Sequence, residues 1–239
     1  MKPGILKAGK WLLNALLPRA CLHCGLDLHY LWEAPLCPAC AGALEMPPTL
    51  SCARCGLPLE GGGASCPDCR GRGGALTLAR AAFIFNPQLR SAVHAFKYRA
   101  REDLADWLAG EMAAALKHHP ELGTYNFCAA VPLHKARLRG RGFNQAELLA
   151  EKLAARANLF HLKGAAQRLR DTPSQTELSK AARKANMAGA FAAGALAQDR
   201  NILLIDDVAT TLATLESLAD AFKKAGARSV AAFTLAREP

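Results

Sequence analysis

The chain has 239 residues, 51% of them hydrophobic and 21% charged; this is the balance of a folded globular protein, it excludes a disordered chain, and it allows one sizeable core plus a small module. The net charge of +10, from 30 basic and 20 acidic residues, favours polyanionic partners such as phosphorylated metabolites, nucleic acid or an acidic membrane surface, without choosing among them. Nine cysteines would suggest disulfides in a secreted protein, but their grouping in CxxC pairs points to metal and a reducing, cytoplasmic compartment.

At the N-terminus, Lys2, Lys7 and Lys10 precede an apolar run over 11–17 and imitate a secretory signal. The run is short, Asn14 interrupts it, and Pro18-Arg19 stands where small residues would mark cleavage. Ile5, Leu6, Leu12, Leu13, Leu16 and Leu17 recur at roughly helical spacing, so residues 1–20 are expected to form a short amphipathic helix docked on its own protein. No stretch is long enough to span a bilayer.

Cys21-Cys24, Cys37-Cys40, Cys52-Cys55 and Cys66-Cys69 are four CxxC pairs separated by 12, 11 and 10 residues. A two-residue gap lets both thiolates of a knuckle reach one ion, and two knuckles complete a closed tetrahedral site. CLHCGLDL at 21–28 and CARCGLPL at 52–59 are copies of one another, each followed by a CPxC, so the module reads as one zinc ribbon written twice. The first two knuckles are therefore expected on one Zn²⁺ and the last two on another. CPAC and CPDC also look like dithiol redox sites, but those sit singly in a βαβ setting, whereas these are four pairs in a Pro- and Gly-rich segment. Without metal such a segment is marginal, and a structural zinc contributes about 10–16 kcal/mol to a small peptide fold. His23 lies inside a knuckle, yet four thiolates per site already suffice. Cys128, alone in an apolar stretch, reads as a small core residue. GGG at 61–63 reads as a loop between knuckles and RGRGG at 70–74 as a linker, which gives segments of 1–20, 21–75 (double zinc ribbon) and 76–239.

The larger domain opens with a strand over 79–85 and a turn at Pro87. Leu89, Val93 and Phe96 start a helix that Leu104, Trp107, Leu108, Met112 and Leu116 continue or resume before Pro120. Lys97 and Arg99, in FKYRARE, taken alone are a solvated face. A second buried strand is expected over 127–133, followed by HKARLRGRGFNQ. There Lys135, Arg137, Arg139 and Arg141 crowd together with no acid, and Gly140 and Gly142 keep the backbone open before a helix beginning near Asn144. A glycine-bearing basic loop between strand and helix is an anion cradle. Arg168, Arg170, Thr172, Gln175, Arg183 and Asn186 lie in a long polar segment, and loops of that length are functional or mobile. Residues 134–200 hold 13 basic against 5 acidic side chains, so most of the excess charge is concentrated here.

The stretch ILLIDDVATTLAT at 202–214 organises the rest. Four aliphatic residues form a strand covered on both faces, two acids follow at its end, and a Thr-rich turn leads into a helix carrying Leu215, Leu218, Ala219 and Phe222. Strand, hydroxyl-bearing turn and helix N-terminus together make a second anion cradle. A response-regulator receiver also begins with an aliphatic run and two acids, but the 32 residues after Asp207 are too few for the units it needs.

ILLIDDVATTLAT resembles the phosphoribosyl-diphosphate (PRPP) fingerprint of type I phosphoribosyltransferases. VPLHKARLRGRGFNQ, Lys97 in FKYR, LRDTPSQTELSKAARKANMAGAF, the closing GARSVAAFTLAR and the cysteine module narrow the resemblance to ComF-like proteins, over nearly the whole chain. The resemblance implies an α/β fold with a type I phosphoribosyltransferase-like parallel sheet flanked by helices, behind a small double zinc-ribbon module with four cysteines per site, and a role in DNA uptake. It implies that Asp206 and Asp207 contact the ribose and that Thr210, Thr211, Leu212, Ala213 and Thr214 take the 5′-phosphate. Lys135, Arg137, Arg139, Arg141 and Gly142 would hold the diphosphate, with Lys97, Arg170 and Arg183 as additional contacts, Mg²⁺ bridging diphosphate and ribose, and a flexible hood over the polar segment. Leu212 departs from the family's usual glycine. If that position needs a left-handed backbone, it is strained by about 1–2 kcal/mol and its side chain crowds the phosphate. A non-catalytic adaptor binding PRPP or DNA is the alternative to an active transferase. Arg54, Arg70 and Arg72 would carry any single-stranded DNA bound by the ribbons, though no aromatic platform accompanies them.

Overall fold

The computed structural model describes residues 19–71, 73–99, 101–171 and 187–239. The N-terminal helix expected over 1–20 lies outside these residues except for its last two positions, as do Arg72, Thr172, Gln175, Arg183, Asn186 and the proposed hood. In chain order the described elements are α1 (Pro38–Gly42), β1 (Ala79–Ile84), α2 (Pro87–Tyr98), α3 (Leu104–Leu116), β2 (Phe127–Ala130), α4 (Lys135–Arg141), α5 (Gln145–Ala157), β3 (Phe160–His161), β4 (Ala166–Arg168), β5 (Phe191–Ala193), β6 (Asn201–Ala209), α6 (Ala213–Lys224) and β7 (Ser229–Arg237). Among them no helix is long and apolar enough to cross a membrane.

Five strands form one parallel sheet in the order β1-β7-β6-β2-β3, flanked by helices, as the aliphatic runs require. β6 and β7 are central and buried on both faces, with Ile202, Leu204, Val230 and Phe233 fully enclosed. α3 and α5 pack on one another, and Cys128 faces them, its thiol 3.9 Å from the Ala150 carbonyl. Burial, with the Glu147 carboxylate nearby, pushes this thiol up to about 12, which suits a core residue and not a nucleophile. β2 stops at Ala130, short of the expected Leu133, because Pro132 has no amide for the ladder; Val131 makes the last bond, to Ile205. The helical run after Pro87 is two helices, and between them Arg101 holds Asp103 through two bonds of 2.8 and 2.7 Å. Asn86 and Asn144 cap α2 and α5 by accepting the amides of Leu89 and Ala146.

The cysteine repeat is visible in the backbone. Cys21 and Cys52 donate to Leu26 and Leu57, Gly25 and Gly56 donate back to the two cysteines, and both glycines have positive φ, 75° and 67°. A side chain at either would strain that turn. The second copy is not strung on a free linker. Cys52, Cys55 and Cys66 belong to the main hydrophobic core, while Cys21, Cys37 and Cys40 form a small separate one. β1 is an edge strand, and its amides at Ala79 and Ile84 donate to Arg54 and Glu45, so the cysteine module covers an edge that would otherwise invite pairing. Gly74, read as part of the linker, lies against the Arg54–Glu216 ion pair of 2.7 Å, whose side-chain ends a Cβ there would push aside. Breaking the second group is therefore expected to damage the whole protein. Cys55→Ser should destabilise the α/β domain by at least about 2 kcal/mol, with Cys24→Ser leaving its stability nearly unchanged; equal effects in thermal unfolding would contradict this.

Candidate functional site

Each predicted cysteine quartet comes together. The sulfurs of Cys21, Cys24, Cys37 and Cys40 lie within 4.8 Å of one another, and so do those of Cys52, Cys55, Cys66 and Cys69. The Cys24–Cys37 and Cys55–Cys66 separations of 3.7 and 3.6 Å are near the ~3.8 Å edge of a tetrahedron with Zn–S of about 2.3 Å. Burial raises the Cys21 thiol, but the amides of Cys24, Cys37 and His23 outweigh it and bring it down to about 6, toward the thiolate that binds metal. Two closed four-cysteine sites with no open position fit structural Zn²⁺. His23 stands outside them, 3.1 Å from the Ser91 hydroxyl. Arg54 is engaged by Glu216, so it serves the module's docking.

The second site lies at the C-terminal end of the sheet. Here β6 runs on through both acids to Ala209, where the sequence suggested that it would end before them. Adjacent strand residues point to opposite faces. Asp207, nearly buried, turns to α2, where the Lys97 ammonium lies 2.8 Å from both of its oxygens. Asp206 accepts the Asp207 amide at 2.9 Å, and the charges acting on it are those of Asp207, Lys97 and, last, Arg168 on β4. Lys97 is thus not the solvated lysine that its neighbours in sequence suggest. Burial alone would lower its pKa, but Asp207, with Asp206 behind it, holds it above the ordinary lysine range. For Asp206 burial dominates, Asp207 adds to it, and the carboxyl rises to about 7 despite Lys97 and Arg168.

The basic stretch is not an open loop. His134 caps it by accepting the Ala136 amide, residues 135–141 are helical, and Gly142 ends the helix at φ 89° with its amide on Leu138. Arg139 and Arg141 stand in the last turn, where the helix dipole favours cations. Helix formation sorts the side chains: Arg137 and Arg141 line a cleft of about 410 Å³ with Gly140, Lys97 and Tyr98, while Lys135, Arg139 and Gly142 are exposed outside it. The Arg141 guanidinium lies 5.3 Å from the centre of the Tyr98 ring, and Arg137 reaches Asp171 at 3.2 Å. Burial, then the charge of Arg137, pulls the Arg168 pKa down. Arg170 donates to the Ala188 carbonyl. β4 and β5 pair antiparallel and tie together the two ends of the polar segment.

The turn of Thr210, Thr211, Leu212, Ala213 and Thr214 follows β6 at the same end of the sheet, although none of its residues lines the cleft. Leu212 is in the left-handed region, φ 59° and ψ 2°, without a side-chain cap to α6. Its side chain is buried in the hydrophobic core, so the penalty lies in the backbone, and the crowding expected at the turn gives way to packing. Arg237 holds this turn from below, its guanidinium donating to the carbonyls of Ala209 and Thr210. Sequence reasoning missed Arg237 and Tyr98, and placed Arg168 only in the long polar segment. An arginine closing an apolar strand in GARSVAAFTLAR was the available signal for the first.

Two consequences are measurable. Asp206 takes up its proton near pH 7 when folded and near 3.8 when free, so its contribution is full below pH 3.8 and lost as pH rises through 7. Asp206→Asn should flatten that decline and raise stability above neutrality by roughly 1–3 kcal/mol; unchanged pH dependence in thermal unfolding would refute it. Leu212→Gly relieves about 1–2 kcal/mol of strain but empties a core position worth about 2–5 kcal/mol. A lower denaturant midpoint is expected, and a higher one would mean that the side chain is not packed.

Comparison with known proteins covers both regions. Residues 12–70 match the double zinc ribbon domain family. The DNA utilization protein YhgH of Escherichia coli (strain K12) is 29% identical over 224 residues, 92% of this chain and 98% of that protein. Competence protein F of Haemophilus influenzae is 26% identical over 223 residues, 91% and 96% of the two chains. Competence protein ComFC of Bacillus subtilis is 29% identical over 215 residues, 86% and 85%.

Proposed function

The chain belongs to the ComF-like family, and from that premise we propose that it acts in the cytoplasm in the uptake and processing of incoming single-stranded DNA, through an α/β domain that binds phosphoribosyl diphosphate. The relatives named for competence and DNA utilization support the first part. One observation carries the second: Lys97 and Asp207 meet at 2.8 Å beside a cleft whose opposite wall is the basic helix α4. PRPP has a diphosphate and a 5′-phosphate on one ribose, so its site needs two anion cradles with acids between them.

In this reading Arg137 and Arg141 take the diphosphate, and the amides of 210–214 take the 5′-phosphate at the N-terminus of α6. Arg237 fixes that turn. Asp206 and Asp207 contact the ribose hydroxyls, and Lys97 holds Asp207 in place. Asp206 and Asp207 would hold Mg²⁺, which prefers carboxylate and phosphate oxygens, and when bound it would supply charge neutralisation for the departing diphosphate. The chain itself supplies positioning and charge stabilisation. An adaptor that binds PRPP without transferring it is favoured by Leu212, whose strained backbone is locked by a buried side chain.

Titration calorimetry with PRPP and Mg²⁺ should give saturable binding, weakened about tenfold or more by Lys97→Ala and by Arg141→Ala, with unfolding midpoints monitored alongside. No heat from the parent protein would overturn PRPP binding. Diphosphate release with a panel of bases would mark a transferase; binding without release would mark the adaptor.

A further inference from the structure

We propose that the rim of the sheet opposite the cleft is a docking site for single-stranded nucleic acid, with Phe160 as its stacking platform. The inference rests on the DNA-related role proposed above and adds a place and a mode of binding.

The rim is built by register. Phe160 on β3 is aligned with Phe127 on β2, Phe127 with Ile202 on β6, and Ile202 with Val230 on β7. Arg200 and Arg228 immediately precede β6 and β7; Arg200 lies over the Phe127 ring, and both arginines line one hollow with Phe127. Strands are about 4.8 Å apart, so the row Phe160, Phe127, Arg200, Arg228 extends over roughly 14 Å. The Phe127 and Phe160 rings are 5.4 Å apart, and the Arg200 guanidinium lies 4.5 Å from the Phe127 centroid. Phe160 is 66% exposed, an unusual state for a phenylalanine on a two-residue edge strand. A hollow of about 180 Å³ opens between Phe127, Arg200, Asn201 and Arg228, and Asp199 is the acid in its wall. The Asn201 amide oxygen is buried with no hydrogen-bond partner among the described residues, an acceptor that a base N–H can satisfy. Lys223, on the last turn of α6, bonds the Arg228 carbonyl at 2.8 Å and adds a third cation.

Exposed aromatic rings beside a basic groove are what single strands require, because unpaired bases stack and phosphates follow the cations. A duplex keeps its bases stacked internally and gains nothing from Phe160. In the second ribbon Arg54 is committed to Glu216.

The test is fluorescence anisotropy of a labelled oligothymidylate with the full zinc-loaded chain. Phe160→Ala should weaken binding about tenfold or more at an unchanged unfolding midpoint, and Phe160→Trp should preserve it. Arg200→Ala with Arg228→Ala should reduce the slope of log affinity against log salt by about 1–1.5. Lys97→Ala should leave oligothymidylate binding intact, and Phe160→Ala should leave PRPP binding intact, so failure of one site is distinguishable from failure of the other. The proposal is overturned if the parent protein does not bind the strand, if Phe160→Ala binds as the parent does, or if only Arg70→Ala or Lys97→Ala abolishes binding.

Discussion

The Lys97–Asp207 ion pair is the interaction on which the cleft depends. It joins residues 110 positions apart, one on the last turn of α2 and the other on the central strand β6. Both side chains are largely withdrawn from water, at 20% and 11% exposure, so neither charge is tolerable without the other. The pair also fixes what lies around it. With Lys97 drawn to Asp207, Tyr98 is left to receive Arg141 across the cleft, and Asp206 has its carboxyl raised to about 7, first by burial and then by the charge of Asp207. A site with one acid paired to Lys97 and its neighbour holding its proton more tightly is asymmetric before any ligand arrives.

The cysteine module supports this from the other edge. By covering β1 and lending Cys52, Cys55 and Cys66 to the main core, the second quartet makes metal binding part of the α/β domain's stability. β1 in turn pairs with β7, whose terminal Arg237 is 7% exposed and holds the 209–210 carbonyls. A chain of contacts therefore runs from the thiolates through β1 and β7 to the turn before α6.

Much of this was legible in the sequence, for physical reasons that differ from element to element. The quartets were legible because metal coordination fixes spacing, and the repeat CLHCGLDL/CARCGLPL gave the pairing. The sheet was legible because strands buried on both faces must be uniformly apolar. Lys97 could be assigned a place only by resemblance, since its partner is remote in sequence and its flanks are charged. The basic stretch of 135–141 was misread as open because its glycines outweighed the cap at His134, which is a property of one side chain and one amide. Leu212 showed a conflict between backbone and side chain that the sequence could pose but not resolve: only packing reveals that the leucine is turned into the core. The row from Phe160 to Arg228 is assembled by strand register, which no local pattern encodes.

The most direct test of the account is a double-mutant cycle between Lys97 and Asp207, using Lys97→Met, Asp207→Asn and the two together, read by denaturant unfolding. The account predicts that the single changes are each more damaging than their combination implies, with a coupling energy of about 1–3 kcal/mol. Additive effects, with coupling near zero, would mean that the two side chains do not depend on each other and that the cleft is not organised by this pair.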